Sequence, residues 1–309
     1  MRHAVIDLGT NTFNLLVFTQ EEGRLRVVHS EEIPVFLGRG GIEQGTIVPE
    51  AFQRGLDALA HCREKAQALG ADGITGFGTS ALRNARNRGE FVHTAMERMG
   101  IPITIIPGEE EAGLILDGVR QAVPFGTRPA LVMDIGGGSI EFILATDKAL
   151  MWKQSFELGS TRLAERIPVS DPITMEEEHR IGVHLDDALA PLYAVIERQE
   201  PHVLIGSAGS YDTLAAMIAA QRGTPLGQAD TSLAFEAMEF DALKDRFMRM
   251  SRTERLLVPG LPAHRVDTMP YALIAMERVL VAGGIRKLAW SRYALKEGAA
   301  ARSAAATSP

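Results

Sequence analysis

The chain has 309 residues, 46% of them hydrophobic and 23% charged, with a formal net charge of −7 and a single cysteine, Cys62. That length accommodates two domains with a core each, and the composition excludes global disorder. The acidic balance excludes the basic footprint of a duplex-nucleic-acid binder, the lone cysteine excludes an internal disulfide, and no apolar run reaches the ~18 residues of a membrane span.

A reducing, cytoplasmic location without membrane attachment is the expectation. An anionic substrate then requires local arginines and a metal, because the global field is unfavourable to it.

The first element lies at residues 4–18, AVIDLGTNTFNLLVF. An apolar run ends in Asp7, the polar turn Gly9-Thr10-Asn11-Thr12 follows, and a second apolar run closes a hairpin. Glu22-Gly23 marks a turn, and 25–29 and 33–37 read as two further strands. A loop at 38–45 carries four glycines. Pro49 then opens a helix to about residue 69, with Phe52, Leu56, Leu59 and Ala66 at helical spacing and Gly70 stopping it.

A buried strand at 74–77 leads into GTSALRNARN at 78–87. Thr79 and Ser80 have the chemistry of helix caps. Arg83 and Arg86, three apart, are expected on one helix face. A guanidinium fork suits phosphate oxygens. Glycine and hydroxyls at a strand end, with an arginine one turn into the helix, favour that role for Arg83; Arg86 and Arg88 read as solvated surface. After a strand at 103–106, Pro107-Gly108 turns into Glu109-Glu110-Glu111. Acids at a helix start are favoured by the helix dipole alone. A general base needs only one of them, and consecutive residues diverge by about 100° around a helix. The helix continues to Val123, and 124–129 reads as the linker between domains 1–124 and 125–309.

Residues 131–145, LVMDIGGGSIEFILA, repeat the first hairpin: strand, Asp134, glycine turn, strand. Gly136, Gly137 and Gly138 leave backbone amides uncovered, and with the Ser139 hydroxyl they suit phosphate oxygens. Asp134 and Glu141 flank the turn and could share a hard cation with that phosphate. The repeat predicts two related α/β halves of mixed sheet plus helices facing across a cleft.

Further on, a strand at 148–158 precedes Gly159-Ser160-Thr161-Arg162 and a helix. Residues 174–199 read as helical, with Pro191 marking a kink or break. His179 and His184 are five apart, the wrong spacing for a zinc pair on one helix face. A strand at 203–205 delivers Gly206-Ser207-Ala208-Gly209-Ser210 to a helix at 211–220, whose amino terminus suits an anion. A loop at 224–232 is followed by helical pattern to about residue 248. Arg249, Arg252 and Arg255 form a three-spaced stripe, a solvated face or a track for a long polyanion. A helix at 269–281, a strand at 288–290 and a polar-alanine helix complete the chain; residues 294–309 are expected to pack back on the first domain, with 299–309 fraying.

With these turns in place the chain resembles the exopolyphosphatase and guanosine pentaphosphate phosphohydrolase family, within the superfamily of actin, sugar kinases and heat-shock chaperones. The resemblance spans essentially the whole chain and rests on DLGTNTFNLLV (7–17), GTSALRNARN (78–87), PGEEEAGLILDGV (107–119), DIGGGSIE (134–141), LGSTRLAE (158–165) and GSAGS (206–210). It implies two actin-like (ribonuclease H-like) domains. It implies a catalytic carboxylate at Glu111, an arginine at Arg83 and magnesium (or manganese) carboxylates at Asp134 and Glu141, with Asp7 as a further candidate. The implied phosphate turns are Gly9 to Thr12 and Gly136 to Ser139, with Gly206, Ser207, Gly209 and Ser210 added by the third turn. Ile140 stands where the family usually has threonine, and Ser210-Tyr211 where threonine and a small residue are commoner. Longer members carry an extra helical HD-type domain; this chain has no His-Asp dipeptide and reads as the short form.

The activity so implied is metal-assisted hydrolysis of a terminal phosphoanhydride, in inorganic polyphosphate or guanosine pentaphosphate, with Glu111 deprotonating water. Two alternatives stand beside it: a kinase of the same superfamily, and a polyphosphate or guanosine tetraphosphate sensor with little turnover. No duplex nucleic acid or membrane partner is expected, and a homodimer stays open as an assembly.

Overall fold

The computed structural model describes residues 2–21 and 24–306; the turn expected at Glu22-Gly23 and residues 307–309 lie outside them. The alternating runs at the amino terminus form β1 (Arg2–Leu8), β2 (Thr12–Glu21) and β3 (Arg24–Pro34), paired antiparallel. The segments read as strands at 25–29 and 33–37 merge into the single strand β3, whose register shifts opposite Val17 and Phe18 and which ends at Pro34, so that 35–37 lie outside it. The chain leaves the sheet at Pro34 because the next two amides, of Val35 and Phe36, donate instead to the Asn11 carbonyl, each at 2.8 Å.

Next come α1 (Pro49–Ala68), β4 (Gly73–Gly78), α2 (Ser80–Asn84), α3 (Arg88–Met99), β5 (Ile103–Ile105) and α4 (Gly108–Ala122). β4 lies parallel to β1 and β5 parallel to β4, giving the order β3-β2-β1-β4-β5. The helix expected across 79–87 is shorter: it ends at Asn84, Ala85 is extended, and the Arg86 amide donates to Gly45 O at 2.9 Å. Arg86 therefore shares no helix face with Arg83. Ile6, Leu8, Phe13, Leu59 and Phe91 are fully buried in this unit's core, with Phe52 meeting Phe91 edge-on at 5.1 Å.

The second unit contains β6 (Ala130–Ile135), β7 (Ile140–Ala145), β8 (Leu150–Phe156), α5 (Ser160–Arg166), α6 (Met175–Gln199), β9 (Leu204–Ser207), α7 (Ala208–Gln221), β10 (Ser232–Glu236), α8 (Ala237–Met248), α9 (Arg252–Arg255), α10 (Met269–Gly283) and β11 (Lys287–Ser291). Its sheet runs β10-β11-β9-β6-β7-β8. Without the edge strand β10, the order and strand senses repeat those of the first sheet, so both units are α/β with mixed sheets, as the repeated hairpin predicts. β10 replaces the start of the helical pattern expected after residue 232: Leu, Ala and Glu favour helix locally, but cross-strand pairing with β11 overrides that preference. α6 continues through Pro191 without a break, and Pro191 is exposed, so the helix carbonyl it leaves unbonded is on the water side. The arginine stripe does not exist as one face. α8 ends before Arg249, Arg252 pairs with Asp267, and Arg255 pairs with Asp171.

The last helix, α11 (Leu295–Ala306), returns to the first unit and packs on β1, β2 and β3. A Cβ at Gly298 would lie 1.8 Å from Leu114 O, and one at Gly118 would lie 2.0 Å from Ala294 O. Only paired glycines let α4 and α11 touch backbone to backbone. Ala299 and Ala300 are buried there, so the expected fraying does not begin at residue 299. The chain thus divides into Met1–Gly118 with Ala294–Pro309, and Val119–Tyr293, the division falling inside α4.

Candidate active site

The two hairpins match residue for residue. Asp7 is paired with Asn14 across β1 and β2, as Asp134 is paired with Glu141 across β6 and β7. The Gly9 amide donates to Thr12 O at 3.0 Å, and the Gly136 amide to Ser139 O at 3.0 Å. The turns therefore share one geometry, and a glutamate in the second stands where the first has asparagine. Asn14 Nδ2 lies 3.4 Å from Asp7 Oδ2.

Each turn is backed by the segment that follows the third strand. In the first unit, Val35 and Phe36 donate to Asn11 O and Gly38 donates to Thr10 O. In the second, the amides of Gly159, Ser160, Thr161 and Arg162 donate to the carbonyls of Gly138, Gly136, Gly137 and Gly137, at 2.9 to 3.2 Å. Both segments carry a buried Leu-Gly pair, Leu37-Gly38 and Leu158-Gly159. The reason is contact: a Cβ at Gly38 would meet the Thr10 methyl at 2.5 Å, and one at Gly159 would meet the Gly137 and Gly138 backbone at 2.4 Å. A peptide's N–H points opposite to its C=O. With the carbonyls of Gly136, Gly137 and Gly138 drawn towards α5, the amides of Gly137, Gly138 and Ser139 are turned the other way, as donors for an anion.

In the first unit, Thr79 closes β4 on β1 by donating Oγ1 to Leu8 O at 3.1 Å and makes no side-chain cap on α2. One turn later Arg83 donates from Nη1 to Glu111 Oε2 at 2.6 Å and to Ile106 O at 3.3 Å. Glu111 is 7% exposed at the start of α4, whereas Glu109 and Glu110 are exposed. The 100° step around the helix separates the three. A carboxylate held this closely by a guanidinium is in its acceptor-only form, the form that can take a proton from water.

In the second unit, Asp134 and Glu141 are 6% and 1% exposed. Ser207 Oγ donates to Asp134 Oδ2 at 2.6 Å, and Ser155 Oγ donates to Glu141 Oε1 at 2.6 Å. Beneath them Tyr211 donates its hydroxyl to Met133 Sδ at 3.3 Å; burial, joined by the Asp134 charge, pushes that phenol well above its ordinary range. In the third turn, Gly206 lies under the Tyr211 ring, Ser210 Oγ donates to Ile135 O at 3.3 Å, and the Arg265 guanidinium lies directly on Gly209. Ser155 and Arg265 carry no sequence signal: neither sits in a glycine motif, and each reaches its partner only through the fold.

Two opposed carboxylates in one hairpin are hard oxygen donors of like charge, a pair that could hold a divalent cation. Among the described residues no group of three or more His, Cys, Asp or Glu side chains could hold a metal. A pair of carboxylates completed by water and substrate phosphate is the coordination Mg²⁺ favours. Asp7 belongs to the other unit and stands opposite Asn14. No helix among the described residues is long and apolar enough to cross a membrane.

Comparison with known proteins places these features in a family. Residues 16–306 match the model of the Ppx/GppA phosphatase family. The fold superposes on the crystal structure of an exopolyphosphatase from Cytophaga hutchinsonii with a TM-score of 0.96, at 35% identity, covering 100% of this chain and 99% of that one. A Ppx/GppA family member from Aquifex aeolicus shares the fold at a TM-score of 0.83 and 20% identity, over 100% of this chain and 99% of that one.

Proposed function

The chain belongs to the Ppx/GppA phosphatase family, and we propose that it is a metal-dependent hydrolase releasing the terminal phosphate of inorganic polyphosphate, of guanosine pentaphosphate, or of both. The observation that carries the reading is the Arg83–Glu111 pair: a buried carboxylate at a helix start, ionised and fixed by an arginine that follows a glycine-hydroxyl turn.

Glu111 takes the proton of the attacking water, and Arg83 fixes the direction of its carboxylate. The amides of the glycine turns and the Ser139 hydroxyl bind phosphoryl oxygens and hold the chain end in place, so that catalysis is chiefly positioning and charge stabilisation. Asp134 and Glu141 would hold Mg²⁺ or Mn²⁺, oriented by Ser207 and Ser155. Such an ion supplies charge neutralisation on the phosphoryl oxygens.

The test is one phosphate-release assay run in parallel on long-chain polyphosphate, guanosine pentaphosphate and ATP, with Mg²⁺ and with chelator. Release from one or both of the first two, without ADP or an acceptor and abolished by chelator, is expected. Release that needs an acceptor would make the chain a kinase. Tight binding without release would make it a sensor, and undiminished release in chelator would remove the metal.

A further inference from the structure

Arg162 is a charged side chain only 7% exposed, and it sits on the carbonyl side of the glycine turn. Its Nε donates to Gly138 O at 3.0 Å, and its Nη2 donates to Glu157 Oε2 at 2.7 Å. Its own backbone amide donates to Gly137 O. Two of the three glycine carbonyls are thus held by this one residue, and Gly138 O accepts from a guanidinium.

We infer that Arg162 is a positioning residue for phosphate binding, fixing the Gly138–Ser139 peptide with its N–H towards the phosphate and strengthening that N–H as a donor. The physical ground is the peptide itself. Glycine peptides flip readily, because no Cβ opposes the alternative orientation. A guanidinium on the carbonyl locks one orientation, and a hydrogen bond at one end of a peptide polarises the other end. Glu157 is the counterweight: 42% of its side chain is exposed, and it partly cancels the charge that Arg162 delivers. The turn in the first unit is backed by the amides of Val35, Phe36 and Gly38. This inference rests on the proposed function for its ligand class, polyphosphate, and its test is built to separate the two.

Binding of tripolyphosphate is measured by calorimetry in the Glu111→Gln background, with R162M, R162K and E157Q added singly. R162M is expected to weaken binding about ten-fold, and R162K to recover most of the loss by restoring the charge. E157Q, at an exposed position, is expected to tighten binding two- to three-fold. A residue that merely holds the fold together would not produce that last result. A second measurement needs no ligand. Glycine carbonyl carbon-13 with serine nitrogen-15 labelling shows only the four Gly-Ser peptides, at 138–139, 159–160, 206–207 and 209–210. The 138–139 signal, assigned with S139A, should shift in R162K while the 206–207 signal stays. Binding by R162M within two-fold of its parent, no change with E157Q, or an unmoved 138–139 signal in R162K would each overturn the role. Absence of phosphate release by the wild type would overturn the proposed function and leave the peptide signal to decide Arg162.

Discussion

Replacing Gly159 by alanine adds one methyl group at a position whose backbone, φ −59° and ψ 156°, any residue can adopt. Only crowding selects glycine there. The new Cβ would lie 2.4 Å from Gly137 C and from Gly138 N and C, all backbone atoms that cannot swing aside. Reaching ordinary carbon contact, about 3.5 Å, requires the turn and α5 to separate by about 1 Å. The four amide bonds from residues 159–162, now 2.9 to 3.2 Å, would then stretch beyond hydrogen-bonding range. Overpacking costs about 1–3 kcal/mol and each lost bond about 1 kcal/mol, partly for the same displacement, so ~3 kcal/mol is expected. That corresponds to a fall in Tm of roughly 6–12 °C for a unit of this size. A phosphate cradle displaced by 1 Å should also lose about 100-fold in kcat/KM. Differential scanning calorimetry and phosphate release check both numbers. Gly89→Ala is the control: its Cβ would meet nothing within 4 Å, and in α3 it should add about 0.5–1 kcal/mol of stability. A Gly159→Ala protein that melts within about 2 °C of wild type and keeps its activity would refute the cradle.

Three further outcomes are expected. Glu111→Gln should lower kcat by at least ~100-fold while retaining ligand binding, whereas Glu109→Gln should change it by less than about two-fold; steady-state kinetics on both variants decides whether Glu111 is the base. Burial, with a contribution from the Glu31 charge, pushes the Cys62 thiol up to about 12. Ellman's reagent at pH 8 should therefore label the native protein only as fast as it unfolds, and labelling within minutes would contradict the burial. Burial opposes the charge of Lys244, but hydrogen bonds to Glu178 and Glu277 outweigh it and raise its pKa above 10.5. A raised folded value stabilises fully below about pH 10.5 and is lost as pH climbs through it. Lys244→Met should cost about 2 kcal/mol at pH 7 and flatten the alkaline decline in Tm; an unchanged alkaline melting profile would remove the linkage.

The glycine-bearing hairpins were legible because their grammar is local: strand, aspartate, glycine, hydroxyl, strand, written twice. The second layer is half legible: LGSTRLAE stands out as a motif at 158–165, but neither its packing on the glycine turn nor its match to Leu37-Gly38 shows along the chain. Leu37-Gly38 and Leu158-Gly159 stand at matching places after the third strand, yet a Leu-Gly pair signals nothing until the turn it packs on is known. Glu111, Glu109 and Glu110 look alike along the chain; the difference in their burial comes from the helix phase and from Arg83, 28 residues upstream. Arg265 on Gly209 and Ser155 on Glu141 are contacts between separate elements and leave no local trace. β10 was missed for a related reason, since a five-residue edge strand of helix-favouring residues is defined by its partner and not by itself.

The return of α11 to the first unit sets a schedule for synthesis. Domains ordinarily begin to fold as they leave the ribosome, amino-terminal part first. Here the backbone contact between Gly118 and Gly298 cannot form until the chain has been made past residue 298. The second unit, which ends at Tyr293, is complete in sequence before the first one is. The unit whose translation begins first is therefore the later of the two to be finished, and α4, whose first turn holds Glu111, acquires its neighbour α11 only after the whole second unit has been made.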